Sequence, residues 1–206
     1  MTLNQKKKIY IIGSNPYNFL DITLESFNKI KECDCVIISK SFKQKFVNIL
    51  KKNCKRYVFE EDLSPSKGLK LWMNILELLK KYNVLSHLKT SDPIFLENGN
   101  AEKDFFEKNL IQAEIFLGVI QIVYQLNKKK EFLTDRKKNS SITFIKKLEI
   151  KKLEQILMNG GFGKLIIKLD KNFEILKKID SLKIQFEKKS SYRFKIIIGK
   201  KIQKFN

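Results

Sequence analysis

An α/β fold built on mostly parallel sheets is the architecture that this 206-residue sequence predicts. Short apolar, β-branched runs alternate along the chain with segments that carry apolar residues at helical spacing, which is typical of strand–helix–strand units. Two loops rich in turn residues follow such runs, at residues 13–18 and 90–100. Because open α/β sheets bind ligands beyond the carboxyl ends of their strands, these loops are the expected position of a functional site.

Residues 1–112 are predicted to form a first, N-terminal α/β domain. Apolar runs that end in turn residues predict its strands, at residues 8–12, 35–38, 56–59 and 84–88. A first helix is expected to begin at a cap formed by Asp21 or Thr23, because either side chain can accept a hydrogen bond from a free backbone amide. Helical spacing predicts the later helices, at residues 46–50, 69–81 and 102–109.

Residues 113–206 are predicted to form a second, C-terminal α/β domain. Its strands are expected at residues 114–117, 142–145, 165–169, 182–186 and 194–198. Its helices are expected at residues 119–126, 150–158 and 173–179. No internal repeat is visible in the sequence.

The chain is strongly basic, with 42 Lys and Arg against 22 Asp and Glu and a formal charge of +20. Nearly all of the cations are lysines, and arginine, which binds phosphates in a bidentate manner, occurs only at positions 56, 136 and 193. This bias favours drift of an A+T-rich coding sequence, while attraction to a nucleic acid or a polycarboxylate substrate stays open. No apolar run approaches the ~18 residues of a membrane span, which predicts a cytoplasmic protein without membrane contact.

The cysteines and the single histidine give no recognisable metal or nucleophile pattern. Cys33, Cys35 and Cys54 are too few and too closely placed for a disulfide framework, and with His87 they do not form a zinc spacing. No Gly-x-Ser-x-Gly motif accompanies His87, which argues against hydrolase chemistry. The sequence therefore predicts no metal site.

Three segments match the motifs of one known family in the same order and at consistent spacing. Residues 9–23 (IYIIGSNPYNFLDIT) lie on an opening strand, a Gly-x-Gly-Pro-Gly-Asp loop and a Leu-Leu-Thr helix start. Residues 88–95 (LKTSDPIF) lie on Leu-Lys-Gly-Gly-Asp-Pro-Phe-Ile, and residues 133–136 and 140–144 lie on Leu-Thr-His-Arg and Ser-Ser-Val-Thr-Phe. The chain thereby resembles the tetrapyrrole methylases, and the last match is closest to the uroporphyrinogen-III C-methyltransferases.

The resemblance implies a two-domain fold in which S-adenosylmethionine lies in a crevice between the domains, in a protein that is usually a homodimer. It implies C-methylation of a tetrapyrrole, here uroporphyrinogen III to precorrin-2. The C-terminal domain is shorter than in the family. The cofactor-facing positions of the family fall on Pro16, Thr90, Ser91, Asp92, Phe95, Ile120, Gln121 and Leu169, and Arg136 falls where it would bind substrate carboxylates.

The departures from the family concern the glycines of both loops. Asn15 and Tyr17 stand in place of two glycines of the first loop, and Thr90 and Ser91 replace the Gly-Gly pair of the second. If the family backbone uses positive φ there, these residues are expected to be strained. The cofactor is therefore expected to bind more weakly than in relatives with intact glycines.

A second departure concerns proton transfer. The family has an Asp after strand two and a Lys after strand three as the proposed acid and base, and here Ser39 and Glu61 occupy those places. The catalytic residues are thus not identified, and slow turnover is expected. Two alternatives stay open, namely a non-catalytic binding or dimerisation module, and a ribosomal RNA 2′-O-ribose methylase, since residues 18–23 (NFLDIT) resemble its Asn-Leu-x-Asp-Ile-Thr motif.

Overall fold

The computed structural model describes residues 6–16, 18–42, 54–60, 65–95, 97–128, 130, 132–134, 141–145, 151–152, 155–156, 164–168, 187–191 and 194–198. The chain falls into two compact units, Met1–Gln121 and Ile122–Asn206. No helix within the described ranges is long and apolar enough to cross a membrane.

Strands and helices alternate through the first unit. They are β1 (Lys8–Gly13), α1 (Leu24–Glu32), β2 (Cys35–Ser39), β3 (Lys55–Phe59), α2 (Pro65–Lys81), β4 (Val84–Lys89), α3 (Gly99–Lys108) and β5 (Gln112–Phe116), followed by α4 (Gln121–Lys128). The Thr23 hydroxyl accepts a hydrogen bond from the Ser26 amide at 3.1 Å, which confirms Thr23 as the cap of α1. The predicted helix at residues 46–50 lies outside the described residues.

The first sheet has five parallel strands in the order β3-β2-β4-β1-β5. Its central strands read as continuous apolar runs because both of their faces are covered. On one face Ile12 packs in a cluster with Ile30 of α1. On the other face Ile9 packs in a cluster with Ile75 of α2 and Phe106 of α3. β5 belongs to the first unit, which runs to Gln121, and it pairs with residues 8–12 of β1.

The neighbouring strands β1 and β4 send their connections to opposite faces of this sheet. The chain leaving β1 enters α1 on one face, and the chain leaving β4 enters α3 on the other. Two adjacent strands with this arrangement define a topological switch point, and the space beyond their carboxyl ends is where open α/β sheets bind ligands. Residues 14–16 and 90–95 leave the sheet at this point.

The second unit contains a mixed four-stranded sheet in the order β6-β7-β9-β8. Its strands are β6 (Ile142–Ile145), β7 (Lys164–Lys168), β8 (Glu187–Ser191) and β9 (Phe194–Ile198). β6 and β7 are parallel, whereas β9 runs antiparallel to both of its neighbours. Leu165 and Ile166 of β7 are fully buried.

Strands β6 and β9 begin and end where the sequence predicts them. The sequence does not predict β8, which comprises residues 187–191 (EKKSS). The predicted segments 173–179 and 182–186 lie outside the described residues. β8 is an edge strand paired with β9, and edge strands tolerate polar and charged residues. The apolar pattern therefore gives no signal for it.

Candidate functional site

The candidate site lies at the switch point between β1 and β4, and hydrogen bonds connect the two loops there. The amide and the hydroxyl of Ser14, just after β1, both donate to the carbonyl oxygen of Lys89, the last residue of β4, at 3.1 and 2.7 Å. Ser14 is fully buried. These two hydrogen bonds hold the first residue of the β1 loop against the last residue of β4, where the second loop begins.

The loop after β1 is closed by the carboxylate of Asp21. Its two oxygens accept hydrogen bonds from the side-chain amides of Asn15 at 2.8 Å and Asn18 at 3.0 Å. Pro16, which the resemblance places against the cofactor, is buried within this loop. Polar side chains thus organise a loop that in the resembled family is rich in glycine.

The strain expected at the replaced glycines is absent, and that expectation was wrong for the residues the structure describes. Among those residues, Leu110 and Lys130 are the non-glycine positions with positive φ. Asn15, Thr90 and Ser91 therefore have backbone conformations that any residue adopts. Tyr17 lies outside the described residues.

The loop after β4 begins with three buried polar residues, Thr90, Ser91 and Asp92, which are 6–7% exposed. One carboxylate oxygen of Asp92 accepts hydrogen bonds from the amides of Ile94 and Phe95 at 3.0 and 2.9 Å. These contacts form an Asx-type turn, which fixes the direction of the chain after the strand. Phe95, half-buried, is held at the end of this turn.

The segment between β5 and α4, residues 117–120, joins the same site, and we call it the β5 turn. The second oxygen of Asp92 accepts a hydrogen bond from the amide of Gly118 at 3.0 Å, and the hydroxyl of Ser91 accepts one from the amide of Gln121 at 3.0 Å. Gly118 also forms an antiparallel bridge with Ile22. Seven of the residues predicted to face a cofactor thus lie beyond the carboxyl ends of the parallel strands: Pro16, Thr90, Ser91, Asp92, Phe95, Ile120 and Gln121.

Gln121 carries a buried polar atom that has no partner within the described part of the chain. The residue is 4% exposed, and its side-chain nitrogen makes no hydrogen bond. An unpaired buried donor costs about 1–3 kcal/mol, so a hydrogen-bond acceptor on a ligand would be favourable at this position. The side-chain nitrogen of Gln121 is therefore a buried donor that a ligand could satisfy.

Beside the loop of β4 lies a buried charged cluster that no sequence motif indicates. Glu102 of α3 is fully buried and accepts hydrogen bonds from the Nδ1 of His87 and, at 2.9 Å, from the Nζ of Lys89. Burial lowers the pKa of His87 below its usual value, although Glu102 opposes this shift. Burial by itself would raise the pKa of Glu102, but His87 and Lys89 outweigh it and lower that pKa to about 2.

Of the four other positions that the resemblance indicates, the structure describes one. Ser39 is the last residue of β2 and therefore also lies at the carboxyl ends of the strands. Its side chain is buried, and its Oγ lies 2.6 Å from the Oγ of Ser41. Glu61, Arg136 and Leu169 lie outside the described residues. No cluster of three or more His, Cys, Asp or Glu side chains suited to a metal ion occurs in the ranges that the structure describes.

No protein-family model matches the sequence, and no curated protein matches it significantly. Solved structures do. Uroporphyrin-III C-methyltransferase from Thermus thermophilus, in its native form and complexed with S-adenosylhomocysteine, has a TM-score of 0.65 and 14% identity, covering 94% of this chain and 88% of that one. A cobalt precorrin-4 methyltransferase, a cobalamin biosynthetic enzyme, has a TM-score of 0.63 and 14% identity, covering 94% and 85%. The chain therefore has a tetrapyrrole methylase-like fold.

Proposed function

We propose that this protein is an S-adenosylmethionine-dependent C-methyltransferase that acts on a tetrapyrrole, with uroporphyrinogen III as substrate and precorrin-2 as product. The observation that carries the proposal is the convergence of residues 14–16, 90–95 and 118–121 at the β1–β4 switch point, where three loops are hydrogen-bonded to one another. The fold shared with methyltransferases of known structure supports the same class of reaction.

The residues present at the site fit an adenosyl cofactor. Its ribose and adenine offer several hydrogen-bond acceptors, and the unpaired side-chain nitrogen of Gln121 supplies a buried donor. Ile120 and Phe95 are half-buried apolar neighbours of the same segments. Pro16, Thr90, Ser91, Asp92, Phe95, Ile120, Gln121 and Leu169 are the proposed cofactor-binding residues, and Arg136 is proposed to bind the carboxylates of the substrate.

When bound, the cofactor supplies a sulfonium-activated methyl group that a nucleophilic ring carbon can accept. The protein's task is then to align the donor and the acceptor and to exclude water, and positioning of this kind is worth about 7–11 kcal/mol in favourable cases. Ser39 is a weaker acid–base group than the Asp of the resembled enzymes, so proton removal is expected to limit the rate. A cofactor crevice between two domains and a homodimer, both implied by the resemblance, belong to the same proposal.

Calorimetric titration with S-adenosylhomocysteine and transfer of a labelled methyl group from S-adenosylmethionine to uroporphyrinogen III test the proposal. We expect binding, and formation of precorrin-2 read as its oxidised, absorbing product. Binding without transfer to the tetrapyrrole would favour the non-catalytic alternative, and transfer to ribosomal RNA would favour the RNA methylase. Absence of binding at a large molar excess of cofactor would reject the proposal.

A further inference from the structure

The side chains of Ser91 and Asp92 accept hydrogen bonds from backbone amides of the protein. The carboxylate of Asp92 accepts three backbone hydrogen bonds, and two of them come from its own loop. The third comes from Gly118 in the β5 turn, 26 positions away. The Ser91 hydroxyl likewise accepts from the amide of Gln121, 30 positions away.

These long-range contacts fix both ends of the β5 turn. Gly118 lies near its beginning, and its amide is held by Asp92. Gln121 is the first residue of α4, so its amide is one of the helix-terminal donors that have no partner inside the helix. The Ser91 hydroxyl satisfies that donor from another loop. Two successive residues thus determine where the turn lies and where α4 begins.

The contact made by Ser91 depends on its side-chain hydroxyl. A glycine, which the resembled motif has at this position, has no hydroxyl to accept the Gln121 amide. The residue that the hydroxyl holds is the same residue whose side-chain nitrogen is buried without a partner. A hydrogen bond from that nitrogen to a ligand requires placement within about 2.7–3.2 Å of the acceptor, so a small movement of α4's first residue would remove it.

We infer that Ser91 and Asp92 are positioning residues, whose side chains act on the ligand through the β5 turn by placing Gln121. This inference rests on the proposed function, because S-adenosylhomocysteine is the ligand that it concerns. Among the described residues Asp92 forms no ion pair, which agrees with a carboxylate committed to backbone amides.

The test compares Ser91→Ala, Ser91→Thr and Asp92→Asn with a matched control, Asp34→Asn. Asp34 also accepts two backbone hydrogen bonds, from the amides of Asn83 and Val84 at 2.9 Å, but it lies at the amino ends of β2 and β4, away from the candidate site. Calorimetry should show that Ser91→Ala weakens binding of S-adenosylhomocysteine about fivefold to tenfold, the usual effect of one hydrogen bond. Ser91→Thr keeps the hydroxyl, so its affinity for S-adenosylhomocysteine should be close to that of the wild type. Asp92→Asn should weaken binding at least as much, and Asp34→Asn should leave it unchanged.

Amide hydrogen exchange separates failure of this inference from failure of the proposed function. We expect faster exchange at Gln121 in Ser91→Ala and at Gly118 in Asp92→Asn, with neither change in Asp34→Asn. If the wild-type protein does not bind S-adenosylhomocysteine, the proposed function fails, yet the same exchange pattern still supports control of the turn by Ser91 and Asp92. Unchanged exchange in folded variants, or full affinity in Ser91→Ala, would overturn the inference.

Discussion

Gly13 and Gly118 approach each other so closely that a Cβ atom built on Gly118 would lie 2.5 Å from the Cα atom of Gly13. A Cβ atom on Gly13 would likewise lie 2.5 Å from the backbone of Gly118 and 2.8 Å from Pro93. The end of β1 and the β5 turn therefore meet through backbone atoms alone. This contact places the β5 turn beside the loops of β1 and β4.

We expect Gly118→Ala to lower the free energy of unfolding by about 1–3 kcal/mol, because the backbone must move to accommodate the methyl group. Gly68→Ala is the control, since a Cβ atom there meets nothing within 4 Å and Gly68 lies inside α2. Alanine at that helical position should stabilise the protein by about 0.5–1 kcal/mol. Urea unfolding followed by the fluorescence of Trp72, the chain's single tryptophan, measures both. Equal effects of the two substitutions would contradict the close approach.

Much of the fold could be predicted because β1, β2 and β4 are buried on both faces and so appear as apolar runs. The contact between Gly13 and Gly118 could not, because it joins residues distant in sequence and leaves no local pattern. The polar edge strand β8 was missed for the same reason, since its place depends on pairing with β9.

The loops of the candidate site were found through the resemblance, but the roles of their side chains were not. Nothing in the local sequence indicates that Ser91 and Asp92 accept hydrogen bonds from Gly118 and Gln121. The buried Glu102 was also missed, because a carboxylate in the first turn of a helix is ordinarily exposed. Only the packing of α3 against β4 reveals its partners.

The buried cluster gives a prediction for stability. Glu102→Ala removes the buried carboxylate that the Nδ1 of His87 and the Nζ of Lys89 both contact. Loss of one partner of a buried ion pair costs about 3–5 kcal/mol. Glu107→Ala is the control on the same helix, because Glu107 is 45% exposed and its pair with Lys103 should contribute about 0.5 kcal/mol or less. Urea unfolding that ranks the two variants equally would contradict the assigned burial.

The three thiols are expected to differ in their rates of alkylation. The hydrogen bond to Cys54 and burial raise the pKa of Cys33, and burial raises the pKa of Cys35 to about 11. At pH ~8 a thiol with such a pKa is about 0.1% thiolate, and the thiolate is the reactive form. Cys54, which is only half-buried, should therefore react first with iodoacetamide, as read by peptide mass spectrometry. Labelling of Cys35 as fast as Cys54 in folded protein would refute this, and all three should react in denaturant.

The dependence of stability on pH provides the last prediction, and the single histidine of the chain makes it specific. Burial lowers the pKa of His87 from 6.5 in the native state, so below pH 6.5 the unfolded chain binds a proton that the native protein does not. Stability is therefore complete above pH 6.5 and decreases as the pH falls towards the native pKa, with a slope of up to about 1.4 kcal/mol per pH unit.

Glu102 acts in the same direction at lower pH. Its pKa is lowered from 4.5 to about 2, so its contribution is complete above pH 4.5 and is lost as the pH falls towards 2. Urea unfolding of the wild type and of His87→Gln across both intervals separates the two groups. His87→Gln keeps a donor for Glu102 but cannot take up a proton, so it should show no loss between pH 6.5 and 4.5 beyond that of other groups and should still lose stability below pH 4.5. Parallel curves for the two proteins above pH 4.5 would mean that His87 takes up its proton as readily in the native protein as in the unfolded chain.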